Sequence, residues 1–543
     1  MRGLMMDVPL TIPSILAHAV TNHGERAIVS RADDGLHRFT YAEFGRRVAR
    51  LANALRRLGI GKGDRVASFA WNTHRHLELY YAVPSIGAVL HTVNIRLFPE
   101  QVAFVLDHAE DRAVFFDASL GGALAPALAA SPNGEDRVIV AMGGRSPALP
   151  QARDYEELLA AEPDVFEPAD LDEWDAAIIC YTSATTGDPK GVLYAHRSTV
   201  IHAYASSQAD AIGLRERDVV LPVVPMFHVN AWGIPFSAPM CGAKLVLPGA
   251  AMDPKSLIAL LNDERVTCSA GVPTVWLGIR DELKRSGGKL THLKRFIIGG
   301  SALPAALMRD FDAMGIEAVH AWGMTESSPI GTVTYVKAAL QDAPPERIEA
   351  ARLKQGIFTA GLSWRLVDAE GNDVPRDGKS VGELMIRGPW VASGYYKNEE
   401  GTRAAFHNGW FRTGDICTVD ELGYLQIVDR AKDLVKSGGE WISSVDLENV
   451  LMGHPAVKEA AVVGVPHEKW IERPIACVVL REGQQIAEAE LRSWLGERVA
   501  KWWIPDRILF IDAIPRTGVG KFRKRDLRER FAHVLVSEPA SGG

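Results

Sequence analysis

Residues 180–191 have the sequence CYTSATTGDPKG, in which four hydroxyl side chains lie within five positions and a single lysine follows. The apolar run before this stretch, residues 176–179, predicts a buried strand, and residues 192–196 after it predict the start of a helix. Backbone N–H groups and hydroxyls can surround phosphate oxygens, and Lys190 adds a positive charge. We therefore interpret the stretch as a polyphosphate-binding loop, with an ordinary Ser/Thr/Gly surface loop as the alternative.

The better-known phosphate and nucleophile motifs do not occur in this sequence. A Walker A loop needs a hydroxyl residue after Gly-Lys, but Phe522 follows Gly520 and Lys521. The glycines of residues 59–63 end a predicted helix instead of opening one, so they do not form a dinucleotide fingerprint. A G-x-S-x-G nucleophile elbow is also missing.

Length and composition limit the classes of protein to consider. A chain of 543 residues predicts at least two domains, and a formal net charge of −7 argues against a nucleic-acid partner. The five cysteines form no C-x-x-C pair, which predicts neither a zinc site nor a disulfide framework and favours the reducing cytoplasm. No apolar run approaches the roughly 20 residues that span a bilayer. Asp7, Pro9 and Pro13 interrupt the N-terminal apolar run, so a signal peptide is not expected.

Helical and strand patterns alternate through the first part of the chain. Thr40 and Glu43 have the spacing of a capping box, and apolar residues three and four apart then predict a helix that ends before Gly59. The alternation predicts α/β layers with largely parallel sheets, followed by an exposed connection at 340–352. The clearest predicted strands are residues 65–70, 219–224, 244–247 and 295–298. The C-terminal part predicts a small α+β domain with helices near 444–452 and 488–500 and strands near 459–465, 475–480 and 507–511.

Five more motifs follow the loop along the chain: PMFHVNAW at 225–232, IGGSA at 298–302, HAWGMTE at 320–326, GWFRTGD at 409–415 and PRTGVGK at 515–521. Together the six motifs resemble those of the acyl-adenylate-forming (AMP-binding) superfamily and, within it, the fatty acyl-CoA synthetase family. The tryptophan in HAWGMTE is closer to the branch that contains ligases for 3-(methylthio)propionate and for medium- to long-chain fatty acids. The chain departs from the usual family pattern at Ala184, where glycine is common, and at Trp322, where tyrosine is common.

The resemblance implies an α/β fold of the ANL superfamily. It implies a large N-terminal domain of layered α/β subdomains at 1–428, a hinge at 429–433 and a small mobile α+β domain at 434–543. The implied activity is that of an AMP-forming acyl-CoA synthetase, which forms an acyl-adenylate from a carboxylic acid and ATP and then an acyl-CoA thioester. ATP, Mg²⁺ and coenzyme A are the implied cofactors and co-substrates. Small molecules are thus the expected partners, and a homodimer is left open.

The resemblance also implies roles for individual residues. The implied catalytic residues are Lys521, Thr182, Lys190, Glu326 and His228. The implied ATP- and AMP-binding residues are Thr182, Ser183, Ala184, Thr185, Thr186, Gly187, Lys190, Gly300, Ser301, Ala302, His320, Ala321, Trp322, Gly323, Met324, Thr325, Asp415, Arg430 and Lys521. The implied acyl-binding residues are His228, Trp232, Gly300, Trp322, Gly323 and Pro329. Coenzyme A is expected at Lys436, Gly438, Gly439, Glu440 and Trp441. The hinge is expected at Lys432, and the metal at Thr182 and Glu326.

Residue chemistry supports several of these roles. The hydroxyl of Thr325 and the carboxylate of Glu326 suit magnesium and phosphate oxygens. The carboxylate of Asp415 can accept hydrogen bonds from vicinal hydroxyls. His228 and Trp232 follow a predicted strand, and open α/β sheets place ligands at such strand ends.

The sequence leaves alternatives for the identity of the acid and for the class of function. Trp232 as a gate and Trp322 as a large ring on the acyl side predict a short or medium unbranched acid, and a long-chain acid is the alternative. A module that loads a carrier protein is a further alternative, although Leu124 stands where a fused carrier would need its serine. A non-catalytic protein that binds a nucleotide or an acyl-adenylate is disfavoured because Lys521, Thr325 and Glu326 are present. The basic run 523–525 predicts a solvated helix face, or a surface that attracts coenzyme A phosphates.

Overall fold

The computed structural model describes residues 1, 3–33, 35–182, 188–430, 433–437, 440–467, 469–516 and 522–535. Among these residues, none of the helices combines the length and apolarity that crossing a bilayer requires.

The strands are numbered in chain order. They are β1 (Ala27–Ala32), β2 (Gly35–Thr40), β3 (Arg65–Phe69), β4 (Val89–Thr92), β5 (Asp111–Asp117), β6 (Val138–Met142), β7 (Arg153–Asp154), β8 (Ala176–Tyr181), β9 (Gly191–Ala195), β10 (Val219–Pro222), β11 (Lys244–Leu247), β12 (Cys268–Gly271), β13 (Arg295–Ile298), β14 (Glu317–Gly323), β15 (Ile330–Val333), β16 (Ile357–Phe358), β17 (Ser363–Val367), β18 (Gly382–Arg387), β19 (Phe406–His407), β20 (Trp410–Val419), β21 (Leu425–Arg430), β22 (Val435–Ser437), β23 (Glu440–Ile442), β24 (Val457–His467), β25 (Ile471–Leu480) and β26 (Arg507–Phe510).

The α-helices are numbered in the same way. They are α1 (Ile12–His23), α2 (Tyr41–Arg57), α3 (His74–Ser85), α4 (Pro99–Ala109), α5 (Gly121–Ala130), α6 (Tyr155–Ala160), α7 (His196–Ser206), α8 (Ile234–Met240), α9 (Pro254–Asp263), α10 (Pro273–Ser286), α11 (Ala305–Asp312), α12 (Pro345–Leu353), α13 (Glu399–Ala405), α14 (Ser444–Met452), α15 (Glu488–Gly496) and α16 (Lys524–Arg530).

Two large sheets, both mainly parallel, form the body of the molecule. One has the strand order β7-β6-β5-β3-β4-β8-β9 and the other β16-β15-β14-β13-β12-β10-β11-β1-β2. Antiparallel pairs occur at their ends, where β9 pairs with β8, β2 with β1, and β15 with β14. The predicted α/β class is confirmed, and two predicted strands, β11 and β13, have the predicted bounds.

Apolar faces of both large sheets and the helices α1, α2, α3, α7 and α8 share one hydrophobic core. Aromatic rings pack at its centre, with Phe44 and Tyr81 5.7 Å apart between ring centroids and Tyr80 and Phe236 5.6 Å apart. These rings are completely or almost completely buried. The core therefore fixes the two sheets relative to each other, and with them the strand ends that carry the functional site.

Helix α2 shows how the sequence specifies these elements. The Thr40 side chain accepts a hydrogen bond from the backbone N–H of Glu43, and the Glu43 carboxylate accepts one from the Thr40 backbone N–H, which confirms the capping box. Phe44, Val48, Leu51 and Leu55 form the buried stripe of the helix.

The predicted connection at 340–352 is mostly exposed or half-buried, as predicted, and helix α12 forms most of it. A proline begins the helix at a position where its missing N–H costs nothing. Arg352 pairs with Asp312 (2.7 Å) and Arg309 pairs with Glu349, so the helix is held against α11 by two ion pairs.

A third, antiparallel sheet has the order β17-β18-β20-β19, with β21 paired to β20. The C-terminal lobe has a fourth sheet of order β23-β22-β25-β24, with β26 beside β25, and α14, α15 and α16 complete it. This is the α+β lobe that the sequence predicted.

The predicted solvated face at 523–525 is wrong for Lys524. Its ammonium lies 2.7 Å from Glu448 Oε1, and both side chains are about nine-tenths buried. The next residue, Arg525, is exposed as predicted and pairs with Glu529 along the helix.

Candidate active site

A cavity of about 510 Å³ lies beyond the carboxyl ends of β10, β13 and β14. Parallel α/β sheets bind ligands at this edge. Twelve of the residues singled out in the sequence line the cavity: Thr182, His228, Trp232, Gly300, Ala321, Trp322, Gly323, Met324, Thr325, Glu326, Pro329 and Arg430.

A second cavity of about 260 Å³ adjoins the first and shares Gly300, Ala321, Trp322, Gly323 and Arg430 with it. It is lined in addition by four residues expected at a nucleotide: Ser301, Ala302, His320 and Asp415. Motifs that are more than 200 residues apart in sequence therefore form one continuous site.

The stretch at 180–191 joins two antiparallel strands, β8 and β9, and does not join a strand to a helix. Strand β9 pairs antiparallel to β8, with Tyr181 opposite Gly191, and α7 begins only at His196. At the end of this strand pair the Thr182 N–H donates to the Lys190 carbonyl (2.9 Å), and the Lys190 N–H donates to the Thr182 hydroxyl (3.1 Å). Ser183, Ala184, Thr185, Thr186 and Gly187 lie outside the described residues.

Tyr395 connects the two motifs that are expected to hold phosphate and metal. The Lys190 ammonium lies 4.7 Å from the centroid of the Tyr395 ring, and the Tyr395 hydroxyl donates to Glu326 Oε1 at 2.7 Å. Burial and the neighbouring Glu326 carboxylate raise the pKa of Tyr395, so the phenol stays protonated and remains a donor. No sequence motif pointed to Tyr395, which lies in the short loop GYYK at 394–397.

The turn that carries Glu326 is held on several sides. The Tyr194 hydroxyl donates to the Thr325 carbonyl (2.6 Å), and the Ala392 N–H donates to the Glu326 carbonyl (2.8 Å). At Gly323 a Cβ atom would lie 2.0 Å from the Pro329 carbonyl oxygen, so only glycine fits there. Packing therefore determines the position of the backbone that carries the Glu326 carboxylate.

Trp322 is tied to the residue that is expected to bind ribose. Its indole Nε1–H donates to Asp415 Oδ2 (2.9 Å), and Arg430 Nε lies 2.6 Å from Asp415 Oδ1. The Asp415 carboxylate is almost fully buried and raises the pKa of Arg430. A Cβ at Gly331 would lie 2.3 Å from the Trp322 ring, so the indole packs closely on that strand. Trp322 thus lines both cavities and is not confined to the acyl side.

A left-handed turn follows β10; His228 precedes it in extended conformation and Trp232 is its last non-glycine residue. Four consecutive non-glycine residues, from Val229 to Trp232, have φ between 38° and 57°. Such backbone costs about 1–2 kcal/mol per residue, so the surrounding core must hold it in place. The Trp232 ring reaches to 3.4 Å from the position that a Cβ on Gly299 would take, so the two residues lie side by side in the wall of the first cavity.

His320 is buried with its Nδ1–H donating to the Leu353 carbonyl (2.9 Å). Burial lowers the pKa of His320 to about 4, so the ring is neutral at pH 7. It lines the smaller cavity without charge.

The residues expected to bind coenzyme A and those at the hinge are placed differently. Lys436 is exposed on β22, and the β22–β23 hairpin lines neither cavity in the part of the chain that the structure describes. Lys432, Gly438, Gly439 and Lys521 lie outside the described residues, as do the side chains of Glu440 and Trp441. Phe522, next to Lys521, lines both cavities, and Arg516 lines the smaller one.

The donor set fits a magnesium ion. The Glu326 carboxylate and the Thr182 hydroxyl line the same cavity and are hard oxygen donors. Within the described ranges no three His, Cys, Asp or Glu side chains cluster as a complete metal site. Mg²⁺ typically binds through one or two carboxylates together with substrate phosphates and water, so this incomplete protein set is sufficient.

Comparisons with known proteins agree with this geometry. The family model for AMP-binding enzyme matches residues 16–396, and the model for AMP-binding enzyme C-terminal domain matches residues 446–521. A long-chain-fatty-acid–CoA ligase of Thermus thermophilus is 48% identical over 532 residues, which is 97% of this chain and 96% of that protein. A 3-methylmercaptopropionyl-CoA ligase of Ruegeria pomeroyi is 45% identical over 545 residues, which is 99% of this chain and all of that protein.

Among solved structures, the anthranilate CoA ligase AuaEII in complex with anthranoyl-AMP is similar with a TM-score of 0.86 and 25% identity. The match covers 96% of this chain and 98% of that one. Since the family models span most of the sequence and the relatives are similar from end to end, the chain belongs to the AMP-binding enzyme family.

Proposed function

We propose that this chain converts a short- or medium-chain carboxylic acid to its coenzyme A thioester in two steps. The chain is an AMP-forming acid–thiol ligase, because relatives that share 45–48% of its residues over nearly its whole length are such ligases. In the first step a carboxylate oxygen bonds to the α-phosphorus of ATP as the bond to pyrophosphate breaks. In the second step the coenzyme A sulfur bonds to the acyl carbon as the bond to AMP breaks.

The observation that carries the proposal is the continuity of the two cavities at Trp322 and Gly323. The smaller cavity has the Asp415–Arg430 pair, and we assign the ribose hydroxyls to Asp415. Its Oδ2 accepts one hydrogen bond, from Trp322, and its Oδ1 faces Arg430 in an ion pair without a hydrogen bond in the described residues, so both oxygens keep lone pairs that can accept. The larger cavity is lined by Glu326 and by apolar side chains such as Ile297 and Val333, which suits phosphates followed by an acyl chain.

The first step concentrates negative charge around phosphorus, so it requires cations and donors that are held in place. We assign this role to Lys190, whose ammonium is already fixed above Tyr395, and to Lys521. Glu326 and Thr182 would hold Mg²⁺, which supplies further positive charge beside the phosphates when it is bound. His228 lines the same cavity, and we assign it to the acyl side.

We also propose a division into a domain at 1–428, a hinge at 429–433 around Lys432, and a mobile domain at 434–543. Phe522 and Arg516, which flank the segment with Lys521, lie at the cavities, whereas Lys436 on the β22–β23 hairpin does not. A rotation of the small domain would exchange these two faces. Coenzyme A would then meet the second face, at Lys436, Gly438, Gly439, Glu440 and Trp441.

The compartment and the oligomeric state are part of the proposal. All five cysteines are unpaired, which supports a reducing compartment such as the cytoplasm. A homodimer stays a prediction that light scattering of the purified protein would test.

The test is a chain-length series in which AMP release and thioester formation are followed separately. We expect hexanoate and 3-(methylthio)propionate to exceed palmitate in kcat/KM. Palmitate well above both would establish the long-chain alternative. Adenylate formation without a coenzyme A thioester would favour a carrier-loading module, and ATP binding without pyrophosphate release would favour a non-catalytic protein.

The variant Trp232→Ala tests the assignment of the acyl end of the site. Removing the ring should widen the range of accepted acids and leave the KM for ATP nearly constant, because Trp232 lines only the larger cavity. An equal loss for all acids together with a lower melting temperature would show that Trp232 is only a packing residue.

A further inference from the structure

A third cavity, of about 520 Å³, lies on the same side of the large sheet as the acyl site but at the opposite strand ends. Arg295 of β13 and Val319 of β14 line it, while Ile297 and Ala321, two residues further along these strands, line the acyl cavity. Side chains two apart on a strand point to the same face. The third cavity therefore continues the acyl cavity along the strand axes.

Ile212 is the one residue that lines both of these cavities among the described residues. It is only 5% exposed and belongs to the core that also contains Ile297, Val319 and Val333. A single side chain thus stands where the acyl cavity meets the third cavity.

The backbone around Ile212 is fixed from two elements. The N–H groups of Ile212 and Gly213 both donate to the Ser206 carbonyl at the end of α7 (3.1 and 3.2 Å). On the other side, Arg295 donates to the Gly213 carbonyl (3.0 Å) and pairs with Asp218 (3.0 Å). These bonds hold the backbone on both sides of Ile212, so the Ile212 side chain has a defined position between the two cavities.

The two cavities differ in character. The acyl cavity has mainly apolar walls around Ile212, such as Ile297, Ile330 and Val333. The third cavity carries charged side chains of both signs on its exposed rim: Arg215, Arg217, Lys294, Asp210 and Glu317. An apolar chain would thus gain from each methylene group up to Ile212 and would meet a polar, hydrated space beyond it.

We infer that Ile212 sets the length of the acyl chain by closing the acyl pocket against the third cavity. This inference rests on the proposed function, because it names the specificity residue of the same site. A smaller residue at this position would join the two cavities and admit the end of a longer unbranched acid.

The test compares the wild type with Ile212→Ala and Ile212→Phe on unbranched acids from butanoate to palmitate. For Ile212→Ala we expect the ratio of kcat/KM for long acids to that for butanoate to rise by roughly fourfold for each methylene that enters the vacated space. Ile212→Phe should move the preference to shorter acids. Leu214→Ala is the matched control, because Leu214 is equally buried in the same segment and lines neither cavity.

Two outcomes would overturn the inference: a wild-type chain-length profile in both Ile212 variants, or the same altered profile in Leu214→Ala. Should Ile212→Ala fail to fold, Ile212→Phe still reports the shift in the opposite direction. Binding of acyl-sulfamoyl adenosines of increasing chain length, followed by thermal shift, separates this inference from the proposed function. If no acid yields a thioester, the proposed function fails, while the dependence of binding on chain length still tests Ile212.

Discussion

At the scale of single residues, Tyr395 lies at the site although none of the sequence motifs contains it. It lies between Gly394 and Tyr396 in a loop with neither periodicity nor a recognisable motif, so its position at the site depends on how the third sheet packs against β8 and β9. The structure places its ring beside Lys190 and its hydroxyl on Glu326. One phenol thereby orients both a cation and a carboxylate that the proposed reaction uses.

Tyr395→Phe should keep the ring beside Lys190 and remove the hydrogen bond to Glu326. A hydrogen bond to a charged group is worth about 1.5–3 kcal/mol, so we expect kcat/KM for adenylation to fall about tenfold to a hundredfold. Pyrophosphate release at varied Mg²⁺ measures the effect. The neighbouring substitution Tyr396→Phe is the control, and an equal loss in both variants would contradict the role assigned to Tyr395.

His202 provides a pH-dependent prediction. Its Nε2 accepts a hydrogen bond from the Ile330 N–H (3.2 Å), and burial lowers the pKa of His202 to about 3. The unfolded chain, with a pKa near 6.5, binds the extra proton between these values, so acidification lowers the free energy of unfolding by up to about 1.4 kcal/mol per pH unit. This loss is absent at pH 7 and grows as the pH falls below about 6.5.

The variant His202→Gln retains a hydrogen-bond acceptor but does not titrate. We expect the wild type to be the more stable at pH 7 and its advantage to shrink by about 2 kcal/mol at pH 5. Urea denaturation at the two pH values measures this difference. An advantage that stays constant between pH 7 and pH 5 would show that His202 does not titrate as its burial requires.

At the scale of secondary structure, the strand pair β8–β9 is a case in which the sequence pattern predicted the wrong element. The residues after Lys190 predicted the start of a helix, but they form β9 and pair with β8 in register. A short apolar run is compatible with either structure, and periodicity alone does not separate them. The tertiary contact decided the outcome, because Val192 and Tyr194 are buried while Leu193 between them is exposed.

The C-terminal helix α16 gives a second example, because charge alone predicted exposure for Lys524. The fold instead buries its ammonium against Glu448, and burial raises the pKa of Glu448 to about 7. Removing one partner leaves a buried charge without compensation, so Lys524→Met should lower the free energy of unfolding by about 3–5 kcal/mol at pH 8. The loss should be smaller at pH 5, where the Glu448 carboxyl in the variant is protonated.

Chemical denaturation followed by the tryptophan fluorescence of the C-terminal lobe measures this effect. Arg525→Met is the control on the same helix, because the exposed Arg525–Glu529 pair contributes at most about 0.5 kcal/mol. The double variant Lys524→Met, Glu448→Leu should recover much of the stability. Equal, small losses in the free energy of unfolding for Lys524→Met and Arg525→Met would show that the buried pair contributes no more to stability than the exposed pair.

For the whole molecule, the alternation of helical and strand patterns predicted the α/β class and the six motifs predicted the family, whereas the shape of the site required coordinates. Strand patterns such as those at β11 and β13 are local, so the sequence specified them directly. The bond from Trp322 to Asp415 and the position of Ile212 between two cavities join residues that are far apart in sequence, and periodicity carries no information on such pairs. The chain length of the accepted acid depends on such contacts between residues that are far apart in sequence.

The proposed rotation of the C-terminal lobe concerns the whole molecule. It predicts that the two half-reactions respond differently to substitutions on the two faces of the lobe. Phe522, beside Lys521, lines both cavities, whereas the β22–β23 hairpin lines neither. Lys521→Ala should therefore slow adenylation by about 10²–10³, the usual loss for one preorganised charge-stabilising group. It should leave the conversion of supplied acyl-adenylate and coenzyme A to acyl-CoA near the wild-type rate.

Gly439→Leu, at the other face of the lobe, should show the opposite pattern and slow only thioester formation. Each half-reaction must be timed in single-turnover experiments, because steady-state turnover reports only the slower step. Reciprocal losses would mean that the two faces act in turn, which requires the lobe to move between the steps. If Lys521→Ala slows both steps equally, both chemistries use one arrangement of the lobe, and the proposed rotation about residues 429–433 is wrong for this chain.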